Sequence, residues 1–536
     1  MQQNSEQNSK WILPLILCIG GVVRLWGIHF GLPHTDCRPD ETTLIQIALG
    51  FFQGDWNPHF FNYPSFYPYS LFVLYSGYFQ LRDWGGASPE DLLFEITWTP
   101  TNLYLISRLF SATAGILTLW ILFRLARLLE NQKVAWVSAF YLSFCYLHVR
   151  DSHFGTTDIL MTFWSYCALY QLLQYQQKPS FRLLFWSSFF TGIALSTKYG
   201  AVFLFLSMVA IVATQRDRSF RLKGKDLSLY LLLSLFFFLV GTPYALFDWN
   251  QFSSDFLDEM QHLSEGHHQI ILGKGFGYHL RYSLPYGMTW TLFLLSLVGI
   301  VIHFRTSFRK AFVFYLFPCC VYLSAGKGYT VFIRYMIPLL PALCLSAGIA
   351  TVALSNCFQL RFPRLLPILA CLFLSPSITQ VILLDKILSQ PDNRVICADW
   401  IDQNIPESQS IYQPNFFISQ KNQFSRSSFK QNYVNVNIHA QVQNLPTPWE
   451  DSLRVRQILP DYILMQQSPV LQSNSCPEWV TLFLKKQYRL IRSFEVVDIK
   501  NSELWYDQQD AFYLPLLGLS QITRSGPNFY LYQKKK

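Results

Sequence analysis

The feature that most constrains this chain is a series of apolar runs nearly free of charge, near 11–32, 103–129, 133–149, 157–176, 182–197, 200–214, 227–247, 285–304, 311–326, 333–356 and 364–384. Most approach the roughly twenty residues needed to cross about 30 Å of hydrocarbon, and a soluble core has no need of them. The composition agrees: 51% of the 536 residues are apolar and only 14% are charged, which excludes a soluble nucleic-acid binder despite a net charge of +9. Most cysteines, Cys18, Cys145, Cys167, Cys319, Cys320, Cys344 and Cys371 among them, fall inside these runs, where a thiol behaves as a small hydrophobe. The expected fold is an α-helical polytopic membrane protein with about eleven transmembrane helices. The first run has no small-residue cleavage site behind it and is taken as a retained span. Residues 1–10 read as a disordered tail.

Basic residues orient the spans. One set of connections carries Lys10, Arg124, Arg127, Lys133, the Arg216 to Lys225 cluster, Arg305, Arg309 and Lys310, and is expected in the cytoplasm together with the N-terminus. The opposite connections are longer yet poorer in Lys and Arg. Residues 65–81 resemble another span, but counting them would put Arg124, Arg127 and Lys133 outside. They are therefore expected as a Tyr-rich interfacial helix within a long outer loop, 33 to about 102. A second long outer loop runs from about Asp248 to Pro285. After Asp385 the composition turns polar, with strand-like runs QSIYQ, YVNVNIHA, DYILM, FEVVDI and NFYLYQ behind an amphipathic RVICADWIDQNI. The expected domains are a transmembrane domain, 11–384, and a small soluble α/β domain, 385–536, facing outward.

Charges gathered at the outer ends of spans need an explanation, because burying them without partners is costly. In HTDCRPDE, Asp40 and Glu41 follow Pro39 and open a helix; capping alone accounts for such a pair, and a catalytic role is compatible with capping. Asp36 lies outside that pair. In RDSHFGTTD, Asp158 begins a span and is equally explained as a cap. Lys198 in STKYG and Arg334 in FIRYMIPLLP lie on the side where the orientation rule disfavours cations. Snorkelling explains Lys198 in the simplest case, but both cations suit a phosphate at outer-leaflet depth. His262, His267, His268 and His279 form the one metal-like grouping. The His267–His268 pair lacks the i, i+4 partner or neighbouring Cys of a strong zinc motif, so a solvated loop outweighs a divalent-cation site there. Phosphate-binding glycine loops of nucleotide enzymes are absent from the sequence.

Taken in order, RLWGIHFGLPH with RPDE, GDWNPHFFNYPS, RDSHFGTTD, GIALSTKYGA, GTPYALFDW, YHLRYSLPYG and RYMIPLLP resemble the membrane glycosyltransferases of the C fold, family 39. That family includes protein O-mannosyltransferases and lipid A aminoarabinose transferases. Arg38-Pro39-Asp40-Glu41 departs from the common His-Pro-Asp-Glu form and keeps the carboxylate pair. No β-trefoil is inserted between spans, so the protein acceptors of the eukaryotic members do not carry over. The resemblance implies inverting transfer of one sugar from a polyprenyl-phosphate carrier to a lipid, glycan or protein acceptor outside the cytoplasmic (inner) membrane. It implies Asp40, Glu41 and Asp158 as catalytic residues and Lys198 and Arg334 as ligands of the donor phosphate. His59, Tyr63, His153, Tyr199 and Tyr335 are further substrate-binding candidates. No cofactor is required beyond the open question of a divalent cation, and no nucleic-acid partner is implied. The alternative is a secondary transporter or flippase, which should carry ionisable residues near the bilayer midplane.

Overall fold

The computed structural model describes residues 11–215, 219–267, 270–358, 365–406, 408–409, 411–412, 461–470, 484–498, 503–510 and 512–535. The tail at 1–10, the run YVNVNIHA and His268 lie outside them. The chain is mostly helical, and its contacts divide it into two compact units. The first comprises 1–28, 40–98 and 102–385, and the second 29–39, 99–101 and 386–536.

Among the described residues, five helical segments are long and apolar enough to cross a membrane: Thr101–Leu129, Phe220–Gly241, Trp290–Lys327, Ile333–Phe358 and Leu365–Asn404. Ile12–Leu25 and Tyr199–Thr214 are shorter apolar helices. The 38-residue stretch Trp290–Lys327 is two helices joined at Ser307, whose backbone is non-helical. Arg305, Arg309 and Lys310 flank that joint, and the expected runs 285–304 and 311–326 lie on either side of it. Leu365–Asn404 likewise joins Leu365–Leu388 to a separate amphipathic helix, Asn393–Asn404. Along Phe220–Gly241, Leu232, Leu235, Phe236 and Val240 are all more than half exposed. A continuous apolar surface of this kind is stable against lipid tails and not against water. Where spans touch one another, small residues let the backbones approach. A Cβ at Gly299 would run into the Ser346 backbone of the neighbouring helix Leu340–Phe358.

The stretch expected as the first long outer loop is helical, with Pro39–Gly50, Phe66–Trp84 and Pro89–Trp98. Phe66–Trp84 covers the expected Tyr-rich segment and falls outside the set apolar enough to span. Its buried tyrosines fasten it to Thr101–Leu129: Tyr67 donates to the Ser107 carbonyl (3.2 Å) and Tyr75 to the Leu103 carbonyl (3.0 Å).

Arg24 and Arg108 are wholly buried inside this unit. Arg24 donates to the carbonyls of Gly20, Ser143 and Leu142 at 2.9, 3.1 and 3.2 Å and meets His148 Nδ1 at 3.0 Å. It thereby pins Ile12–Leu25 to Gln132–Ser143. Arg108, on Thr101–Leu129, forms a two-pronged ion pair with Glu41, Nε to Oε1 at 3.0 Å and Nη2 to Oε2 at 2.8 Å, and also donates to the Ile28 carbonyl. The Gly155 N–H donates to the same Glu41 carboxylate at 2.7 Å. Three separate stretches of chain thus converge on one carboxylate.

In the second unit, Asn393–Asn404 packs on a four-stranded sheet, β1 (Ile411–Tyr412), β2 (Tyr462–Gln467), β3 (Tyr488–Phe494) and β4 (Asn528–Lys534), in the order β1-β2-β4-β3. β1 and β2 are parallel, and β4 runs antiparallel to both β2 and β3. Cys397, Ile401, Leu464, Phe529 and Leu531 form its core. The expected runs DYILM and NFYLYQ lie in β2 and β4, whereas the strand expected at FEVVDI ends at Phe494 and occupies YRLIRSF instead. Residues 29–39 belong to this unit: Arg38 Nη1 pairs with Asp510 Oδ1 at 2.5 Å, both buried, and Phe30 packs edge-on against Phe512.

Removing one member of a buried ion pair strands the other charge at a cost of about 3–5 kcal/mol. Glu41→Gln should therefore lower the stability of the detergent-solubilised protein by that order, read as a fall in its thermal melting temperature. The double replacement Glu41→Gln with Arg108→Met should cost less than the sum of the two single changes.

Candidate active site

A cavity of about 350 Å³ opens in the first unit, with Asn62, Tyr63, Asp158, Lys198, Tyr199, Glu259 and Tyr335 as its polar lining. Asp158 reaches it from the first turn of Thr157–Gln177. Lys198 reaches it because Phe181–Thr197 ends there: the Lys198 backbone is extended between that helix and the short turn Tyr199–Phe203. Its ammonium bonds Asp158 Oδ1 at 2.6 Å and stands 5.4 Å from the ring centres of both Tyr63 and Tyr335, so two aromatic faces and a carboxylate cradle it.

A second pair lies nearby, and the charges of both pairs act on Glu259. Arg334, in the turn Ile333–Leu339, places Nη1 2.8 Å from Asp40 Oδ2, and its guanidinium lies 4.3 Å from the centre of the Phe332 ring. The Asp40 side chain keeps 30% of its surface exposed and that of Arg334 only 7%. Asp40 and Glu41 are adjacent in the first turn of Pro39–Gly50, and successive helical residues are rotated about 100° apart. That rotation separates the expected pair: Asp40 turns to Arg334, while Glu41 turns inward to Arg108 and is not part of the cavity lining.

The loop behind Tyr63 is held by the helix Trp249–Glu265. Asp255 accepts the Phe61 N–H at 2.7 Å and a Gln251 amide N–H at 2.7 Å, Tyr199 donates to the Phe61 carbonyl at 2.6 Å, and Asn57 donates to Asp248 at 2.8 Å. GDWNPHFFNYPS thereby forms part of the wall. His59 in that loop points elsewhere: it is exposed and pairs with Asp55 at 2.8 Å, a bond that lowers the Asp55 carboxyl below its usual range. His153 is also placed away from the cavity. It is fully buried, with Nδ1 2.9 Å from the Val149 carbonyl, Nε2 3.0 Å from that of Trp26, and Asp385 3.7 Å away. Asp36 belongs to the second unit.

His267 forms a ring pair with His262, Nδ1 to Nε2 at 2.8 Å, and packs against Phe332. Among the described residues no group of three or more His, Cys, Asp or Glu is disposed to hold a metal ion. The described residues do not make a divalent-cation site, and the chemistry below uses none.

Glu259 joins the cavity without having been anticipated. Its side chain is 15% exposed, with His262 Nδ1 3.9 Å from its carboxylate. Burial pushes the Glu259 carboxyl up to about 6; Lys198 and Arg334 pull it down, while Asp40 and Asp158 push it further up. The signal was present in the helical period: Phe252, Phe256, Glu259 and Leu263 recur on one face of Trp249–Glu265, and all four line the cavity.

A family model described as dolichyl-phosphate-mannose-protein mannosyltransferase matches residues 103–243. No curated protein matches the chain in sequence. Among solved structures, the chain is similar to ArnT from Cupriavidus metallidurans bound to undecaprenyl phosphate, with a TM-score of 0.55 at 14% identity over 97% of each chain. It is similar to the Archaeoglobus fulgidus oligosaccharyltransferase in the apo form, with a TM-score of 0.54 at 10% identity over 98% of this chain and 88% of that one. The archaeal oligosaccharyltransferase AglB from the same organism, in complex with an inhibitory peptide and a dolichol-phosphate, aligns with a TM-score of 0.51 at 11% identity over 86% of this chain and 70% of that one. The chain has the fold of these enzymes, the C fold of integral-membrane glycosyltransferases.

Proposed function

We propose that this protein transfers one sugar from a polyprenyl-phosphate carrier to an acceptor on the outer side of the cytoplasmic membrane, with inversion at the anomeric carbon. The observation that carries the reading is the pairing of two carboxylates with two cations, Asp158 with Lys198 in the cavity wall and Asp40 with Arg334 close enough for their charges to act on the cavity's Glu259. The matched family model, and relatives described with undecaprenyl phosphate or dolichol-phosphate, support it.

The chemistry follows from exchange of partners. A carboxylate held by a guanidinium is a weak base, because the positive charge stabilises its ionised form. When the donor phosphate arrives, its oxygens compete for Arg334 and Lys198, as charge-assisted bonds to phosphate are strong. Asp40, released from Arg334, then accepts the proton of the acceptor nucleophile. The nucleophile's oxygen attacks the anomeric carbon from the face opposite the phosphate, the bond from that carbon to the phosphate oxygen breaks, and the new negative charge falls between the two cations. Asp158 holds Lys198 in place, and Tyr63 and Tyr335 confine its ammonium. Glu41 acts through the fold: its bond to Arg108 sets the pose of the helix that carries Asp40.

Three outcomes test this reading. Asp40→Asn keeps the size and shape of the side chain and removes the base, so turnover with purified protein and a radiolabelled polyprenyl-phosphate sugar should fall about 10²-fold or more with folding intact. Lys198→Met and Arg334→Met should each weaken donor binding by about 2–5 kcal/mol, measured as the dissociation constant of the donor. Reporter fusions should place the 219–225 connection in the cytoplasm and the segment after Asp385 outside; a cytoplasmic C-terminal unit would contradict the assigned side of catalysis.

A further inference from the structure

The two ion pairs leave one charge over. With all five groups ionised, Asp158 and Glu259 in the cavity wall and Asp40 beside it make three negative charges against the two positive charges of Lys198 and Arg334. Glu259 is the carboxylate without a Lys or Arg partner, and its helix holds it in the cavity wall beside Phe256 and Leu263. We infer that Glu259 is a proton-linked selector of the phosphate's charge, admitting a singly charged phosphodiester when protonated and disfavouring a doubly charged phosphomonoester when ionised. This rests on the reading of the cavity as the site of a polyprenyl-phosphate donor.

The argument is electrostatic. A phosphate that takes Lys198 and Arg334 for itself strips Asp40 and Asp158 of their partners, so its arrival increases the negative charge acting on Glu259. The group that relieves this most readily is the one already displaced toward neutrality. Burial holds the Glu259 carboxyl at about 6, so it changes charge near physiological pH. Anion binding must raise it further, and by linkage binding must take up a proton. The sign is fixed: binding is tightest below that value and weakens as pH rises through it. The donor is a phosphodiester with one charge at any of these pH values. The spent carrier is a phosphomonoester, whose second proton leaves near pH 6, so above that pH an ionised Glu259 repels the product more than the donor. Release of the carrier and retention of fresh donor follow from the same carboxylate.

Other groups face Glu259. Lys198, Arg334, Asp40 and Asp158 act on it through their charges. The phenols of Tyr63, Tyr199 and Tyr335 are coupled to it, and an ordinary phenol is neutral throughout this pH range. His262 and His267 remain as imidazoles able to change charge between pH 5 and 8. Glu259→Gln leaves every one of these groups in place, so a difference between its pH profile and that of the wild type belongs to Glu259.

The test uses the full-length protein in lipid nanodiscs with undecaprenyl methyl phosphate, a phosphodiester that does not titrate in this range. The wild type should bind it roughly tenfold more tightly at about pH 5 than at about pH 8, the effect of about one unit of displacement in a carboxyl pKa. Calorimetry in buffers of different ionisation enthalpy should show net proton uptake near neutral pH. Glu259→Gln, which imitates the protonated acid, should bind at about pH 8 as the wild type does at about pH 5, with the uptake lost. It should also narrow the preference for the phosphodiester over undecaprenyl phosphate at about pH 8. Wild-type binding that is independent of pH and takes up no proton overturns the inference without need of the variant, as does an unchanged profile in Glu259→Gln. If the wild type binds no phosphodiester at any pH, the reading of the cavity as a donor site fails and takes this inference with it.

Discussion

The first unit of this protein depends on the requirement that a charge in a low-dielectric interior have a partner. Arg24, Arg108, Arg334 and Lys198 sit among apolar helices, and each is met by carbonyls or a carboxylate at hydrogen-bonding distance. Each has at least one partner from a different stretch of chain, so meeting the charge also fixes how the helices lie against one another. Arg24 ties the first helix to the third apolar run; Arg108 ties the outer loop, through Glu41, to Thr101–Leu129 and the Gly155 backbone. Hydrophobic burial cannot supply this registration in a membrane, because lipid tails satisfy an apolar surface as well as a neighbouring helix does.

The same requirement explains how two adjacent carboxylates come to have different tasks. A helix turn sends Asp40 to a partly exposed cation and Glu41 to a fully buried one. Glu41 is enclosed by donors on both oxygens and has no freedom to exchange them. Asp40 retains exposure, and the partner it holds is one that a phosphate would take. A site of paired charges is inexpensive to maintain without substrate and becomes reactive when an anion rearranges the pairs, which avoids keeping a bare carboxylate desolvated between turnovers.

Much of this was legible in the sequence, for identifiable reasons. Run length and absence of charge mark helices for a bilayer irrespective of their neighbours, and the basic cluster at Arg305 to Lys310 marked the joint now seen at Ser307. Lys198 and Arg334 stood out because cations on the side expected to face outward are uncommon; Lys198 lines the cavity, and Arg334 pairs with Asp40 beside it. Tyr63, Tyr199 and Tyr335 line it as well or carry it. His59 and His153 were selected by residue type and by position within matching motifs, and neither criterion knows where a side chain points: one is solvated beside Asp55, the other enclosed by carbonyls.

The sequence by itself determined the helical membrane architecture, the break positions and the charged residues that would have to be explained, since these follow from hydropathy and chain-local geometry. The tertiary structure alone decided which carboxylate meets which cation, that Glu41 is enclosed and Asp40 partly exposed, and that Glu259 lines the cavity. The physical reason is rotational phase. Hydropathy records how far a helix runs, but the side of the helix that meets a given neighbour is set by packing between segments more than a hundred residues apart, as Asp40 with Arg334 and Glu259 with Asp40 illustrate.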